Sequence, residues 1–171
     1  MKLTSGGTYD KQERFAYFLA TSPTRHTEAE THLPEANILS YEHVLVAINE
    51  LETPKSLDHL NRLMDSGRKV LLDSGIFNLT MRHARANDVH MDVALGLAPD
   101  EIDGFDKLKD TYYTIADKYK DTMWGMIEMD QGGPDHKPLT RAMIEKDTGI
   151  VPIPVWHPLL DGVDYYKSIT K

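Results

Sequence analysis

Short apolar runs alternate with amphipathic helical patterns along this chain, and the alternation predicts a βα rhythm. A first strand is expected in "EANILSY" at 35–41. The stretch "PKSLDHLNRLMDSG" then starts at Pro54, sets Leu57, Leu60 and Met64 on one helical face, and closes on Gly67 as a C-terminal cap. A second strand, "RKVLLD" at 68–73, stops on an acid and is followed by a Ser-Gly turn. Helical tendency runs over about 79–95. In "APDEIDGFDKLKDTYYTIADKYKD", Pro99 stands at a helix start with acids in the first turn, which suits the helix dipole. Ile102, Phe105, Leu108, Tyr112, Ile115 and Tyr119 recur there at three- and four-residue steps and read as a core stripe. A third strand is expected in "MWGMIEMD" at 123–130, a helix over 139–146 ending at Gly149, a fourth strand in "IVPIPVWH" at 150–157, and a last helix over 163–169.

Four strands separated by helices, with no hairpin signal between them, imply βαβ units and a parallel sheet. Two architectures satisfy that pattern, a (β/α) barrel and an open doubly wound sheet. The glycine fingerprint of dinucleotide sites is missing, since Gly6-Gly7 precedes no strand; "DQGGPDH" lacks the Lys-Ser/Thr of a P-loop.

Length, at 171 residues, suits one domain, with 1–34 as an N-terminal extension ahead of the first expected strand. No run approaches a membrane span and the first residues are polar, so no membrane contact is expected and the cytoplasm is the expected location, that of the host if the chain is phage-encoded. Cysteine is absent, which excludes disulfides, thiolate metal sites and a cysteine nucleophile within these residues. The net charge of −8 argues against a broad phosphate-binding face. One local basic strip remains, "MRHARANDVH" at 81–90, either a solvated helix face or a contact for an anionic backbone.

Ligand sites of parallel α/β folds lie at the carboxyl ends of the strands. Each expected strand ends there on a reactive or hydrogen-bonding group: Ser40 and Tyr41, Asp73 and Ser74, Asp130 and Gln131, then His157. Any one of these has an ordinary reading as a cap, a turn former or a structural histidine; four agreeing ends point to a polar pocket. Gly75, Gly132 and Gly133 follow the two acids, where a ligand or a tight turn needs close backbone approach. A metal would rest on His, Asp and Glu. His26 and His32 are six apart, which fits no helix-face pair, whereas Asp130, Asp135, His136 and His157 offer a carboxylate–histidine alternative.

"ANILSY", "LLDSGIF", "IEMDQGG" and "IPVWHP", in that order, resemble the tRNA-guanine transglycosylase superfamily (the queuine tRNA-ribosyltransferase type), and within it the phage-type enzymes that insert 7-deazaguanines into DNA. The likeness runs from Ala36 to the C-terminus. It implies a (β/α) TIM-type barrel, of which roughly the N-terminal half to two-thirds is present, since such barrels take about 250 residues. It also implies guanine exchange in DNA or tRNA by double displacement; no cofactor or metal is expected within these residues, since the zinc-binding Cys/His segment of the tRNA enzymes would lie beyond Lys171. Asp73 matches the family's general acid/base, with Ser74 orienting it, and Asp130 matches the acid that holds the purine. An ionised carboxylate is acceptor-only, so Asp130 would take both N1–H and the 2-amino group of guanine and reject adenine. Ser40, Gln131 and His157 are the further polar contacts to the base; Tyr41 and Phe77 are the candidates to stack on it. The family's nucleophile lies on a later strand, beyond Lys171. Three alternatives follow: a nucleobase-binding relic without turnover, a half-barrel subunit completed by a partner such as a second copy, and a metal-dependent hydrolase on a similar barrel.

Overall fold

The computed structural model describes residues 19–20 and 42–170. Four parallel strands form one sheet in sequential order: β1 (Leu19–Ala20), β2 (His43–Ala47), β3 (Lys69–Asp73) and β4 (Gly125–Met126). The register pairs Ala47 with Asp73 and Leu72 with Met126. β3 is buried on both faces through Val70, Leu71 and Leu72, as expected for a parallel strand covered on both sides.

The first expected strand, at 35–41, lies outside the described residues, as do Ser40, Tyr41, His26 and His32. The strand that pairs with β3 is instead "HVLVA" at β2. Its run from Val44 to Ile48 is uninterrupted and rich in β-branched residues, the signature of a buried strand.

Helix α1 (Pro54–Asp65) begins as its pattern predicts. Thr53 accepts from the Ser56 amide at 3.1 Å, and Ser56 Oγ accepts from the Thr53 amide at 3.1 Å, so two otherwise orphaned donors are satisfied. Its end is a Schellman turn: the Gly67 amide reaches the Met64 carbonyl and the Arg68 amide the Leu63 carbonyl. Gly67 has φ of +80° and so sits one residue beyond the cap, Ser66.

The helical region expected at 79–95 is two helices, α2 (Ile76–Ala86) and α3 (Met91–Gly96). Pro99 starts only a short 3-10 turn, Pro99–Glu101, and the long helix α4 (Phe105–Tyr119) begins after Gly104. Its expected stripe is core: Ile102, Phe105, Tyr112, Ile115 and Tyr119 are buried and Leu108 packs against them. Helix α5 (Gly133–Thr148) starts six residues before the expected 139, because Pro134 occupies the first turn, where its missing N–H costs nothing. The last helix is α6 (Gly162–Ile169).

The third and fourth strands are shorter than the sequence predicts. Regular pairing of 123–130 is confined to β4, and 150–157 contributes a single parallel bridge between Ile127 and Ile153. Pro152 and Pro154 flank Ile153, but the N–H groups they lack belong to the opposite edge; the ladder toward β4 would continue through the residue after Pro154. The Val155 amide is instead taken by the Glu128 carboxylate, 2.7 Å away. Among the described residues no helix is long and apolar enough to cross a membrane.

Candidate functional site

Asp73 is the last residue of β3, and Asp130 lies four residues past β4, so parallel register brings both to one edge. Asp73 is partly buried, and its carboxyl is pushed above the ordinary range, first by loss of hydration and then by the Asp130 charge. Amide hydrogen bonds from Gly75 and Ser74 work in the opposite direction and are outweighed. A carboxyl held toward its neutral form beside an anionic neighbour is suited to donate a proton.

Asp130 is fixed by two partners. His157 Nε2 lies 2.8 Å from Oδ2, and Ser74 Oγ donates to Oδ1 at 3.4 Å. The Ser74 hydroxyl thus braces Asp130 while only its amide holds Asp73, and the hydroxyl also accepts from the Ile76 amide at 3.4 Å. With Asp130 ionised, Nε2 carries the proton and Nδ1 is left as an acceptor; only the imidazolium would add a second donor. The side chains of His157 and Asp130 are 29% and 16% exposed, enough for a ligand to reach both. Tyr112, from the core stripe of α4, donates to the Ile127 carbonyl, and its hydroxyl is held far above its usual range by burial and then by Asp73, Glu128 and Asp130. It stays a neutral prop under the site.

Gly75 makes the turn between Asp73 and α2 possible. Its φ is +73°, and a Cβ there would stand 2.8 Å from Ile48 Cγ2 and 3.0 Å from Asn49 Oδ1. Only glycine meets both conditions without strain.

Gln131 does not face a ligand, which corrects the base-contact role expected for it. It is fully buried; Oε1 accepts from the Thr80 hydroxyl at 2.8 Å, and Nε2 donates to the carbonyls of Ala94 at 2.7 Å, Leu95 at 3.2 Å and Leu97 at 2.9 Å. Its amide therefore pins α2 and α3 over the strand ends. Phe77, in the first turn of α2, is 62% exposed, so its ring is accessible for stacking. Asp135 and His136 lie on α5, and no group of three or more His, Asp or Glu is gathered to hold a metal among the described residues.

Sequence reading missed the residues that hold the His157 segment in place. Lys137 and Asp161 form a fully buried ion pair at 2.7 Å, and Asp161 also accepts from the His157 amide at 2.6 Å. Beside it, buried Glu128 pairs with Arg141 at 2.5 Å and accepts from the Tyr165 hydroxyl at 3.2 Å. Loss of hydration pushes Glu128 up, and the Val155 amide, Arg141 and Lys137 only partly offset that. One signal was available: Glu128 and Asp130 are two apart in extended chain, which sets both on one face. Nothing in the spacing marks Lys137. Asn49, just past β2, was also missed; its Oδ1 is buried without a hydrogen-bond partner.

Fold and site together define a parallel α/β protein with a carboxylate–histidine cluster at the carboxyl edge of its sheet. In comparisons with known proteins, the chain matches no family model, no curated protein and no solved structure.

Proposed function

We propose that this cluster is a base-exchange site of the guanine transglycosylase type, acting on guanine in DNA or tRNA and installing a 7-deazaguanine. The observation that carries the proposal is the pairing of unlike carboxyl environments: Asp73 is raised by burial and by Asp130, while Asp130 is held by Ser74 and His157. Two acids with environments that differ in this way divide the labour of acid and anion. Sequential order of the parallel strands supports reading the sheet as part of a (β/α) barrel, with the site at the catalytic edge of that fold.

In this reading Asp130 accepts from N1–H and the 2-amino group of guanine through lone pairs that His157 and Ser74 leave open. As the bond from C1′ to the base breaks, the Asp73 carboxyl passes its proton to the ring nitrogen that carries the electron pair away. The resulting carboxylate then takes the ring N–H proton of the incoming 7-deazaguanine, whose nitrogen bonds to C1′. A carboxylate nucleophile bonded to C1′ between the two steps completes the double displacement; no described residue is assigned to it. The exposed ring of Phe77 is the candidate to stack on the base.

Incubation with guanine-containing DNA or tRNA and a labelled 7-deazaguanine tests the proposal. Incorporation is expected, and Asp73→Asn is expected to abolish it while circular dichroism is unchanged and the unfolding midpoint does not fall. Label incorporated equally by Asp73→Asn would overturn the assignment. Guanine binding that depends on Asp130, without incorporation into either nucleic acid, would instead mark a base-binding protein.

A further inference from the structure

Beside the Asp73 loop lies a second concavity, a cleft of about 720 Å³ between the 48–52 segment, α2 and the first half of α4. That volume is in the range of small-ligand sites, about 300–1,000 Å³. Two buried polar atoms of its lining residues have no hydrogen-bond partner, Asn49 Oδ1 and His83 Nδ1. Such orphans are costly and in native proteins usually have a reason. Arg82 and Lys107 line the same cleft; both are exposed, and neither is in an ion pair among the described residues. Glu52 and Asp103 complete the polar wall. Two cations beside two carboxylates and an orphaned amide oxygen do not make a simple polyanion channel. They match a ligand with one anionic end and several N–H or O–H donors, which is the chemistry of a nucleotide.

One lining residue links the cleft to the candidate site. Asn49 Oδ1 is the atom that would stand 3.0 Å from a Cβ on Gly75, in the loop that carries Asp73. We propose that this cleft seats a nucleotide adjoining the reacting one in the nucleic-acid strand, with Arg82 and Lys107 on its phosphate and Asn49 accepting from its base or sugar. This rests on the base-exchange reading and extends it from the base to the strand.

Binding measurements with three probes test it: free guanine, 5′-GMP, and a short single-stranded oligonucleotide with a central guanine. The double substitution Arg82→Gln with Lys107→Gln is expected to weaken the oligonucleotide about tenfold and to lower its salt slope by about one, leaving free guanine unaffected. Asn49→Ala, with its fold checked by circular dichroism, is expected to weaken the oligonucleotide as well. Oligonucleotide affinity and salt slope unchanged in the double variant would overturn the inference. So would 5′-GMP binding as tightly as the oligonucleotide with the same dependence on these residues, because the occupant would then be a free nucleotide. Free guanine binding that is indifferent to Asp130→Asn would strike the base-exchange reading, while the cleft would still be judged by the oligonucleotide's dependence on Arg82 and Lys107.

Discussion

His157 Nε2 stands 2.8 Å from Asp130 Oδ2, joining the segment after the Ile153 bridge to the segment after β4. Neither residue is near the other in sequence, and neither is held by the other alone. Asp130 also takes the Ser74 hydroxyl, and the His157 amide is clamped by Asp161. Asp130→Asn replaces an acceptor-only group with one that also presents donors, so guanine binding should weaken by about 1.5–3 kcal/mol, roughly ten- to a hundredfold. His157→Ala should weaken it less, because Ser74 still braces the carboxylate. Calorimetric titration with guanine measures both, and equal affinities for Asp130→Asn and the parent would remove Asp130 from the site.

Asp73 also affects stability through pH. Its carboxyl is raised in the folded protein from an ordinary value near 3.8, so over the window between the two values the folded state holds a proton that the unfolded state has lost. Stability therefore falls as pH rises through that window, and the whole penalty is present above the folded value. Asp73→Asn cannot ionise. Its unfolding midpoint should match the parent below pH of about 4, exceed it by a growing margin through that window, and level off above the folded value. Urea unfolding across that range checks the sign, and a midpoint that falls relative to the parent with rising pH would contradict the raised carboxyl.

Gln131 is expected to matter for folding and not for base contact. Gln131→Leu keeps the bulk but leaves the Leu97 carbonyl and the Thr80 hydroxyl without their partner, while the Ala94 carbonyl keeps the Leu97 amide. At about 1–3 kcal/mol for each buried group left unsatisfied, and with some relaxation, a loss of about 2–4 kcal/mol is expected. Amide exchange should accelerate in α3 first, because that short helix is tied down through this side chain. Unchanged exchange in α3 would show that its anchor lies elsewhere.

Lys137 and Asp161 form the deepest charge pair among the described ones, with both side chains fully buried. Lys137→Met leaves the Asp161 carboxylate uncompensated and should cost about 3–5 kcal/mol. Adding Asp161→Asn should recover part of that, since the buried charge goes while an acceptor for the His157 amide remains. Urea unfolding of the two single variants and the double reports the coupling. Strict additivity would mean that the two groups do not act as a pair.

Local pattern determined much of this protein. Helix α1 with its proline start and glycine stop, β3 ending on Asp73, the core stripe of α4 and the parallel arrangement were all legible, because each depends on periodicity and turn chemistry within a few residues. Tertiary contacts decided the rest. Strand pairing chose 43–47 as the partner of β3, and diversion of the Val155 amide to the Glu128 carboxylate left an apolar run with one bridge. Gln131 and Ser74 differ most from their expected roles. Both follow an acid at a strand end, yet one is drawn inward to satisfy the carbonyls of α3, and the other turns to Asp130 in place of its neighbour Asp73. Chain order can put polar groups at one edge of a sheet. Which of them face a ligand and which serve buried backbone depends on contacts from distant segments such as α3 and 153–161, and that choice is made only when those segments pack.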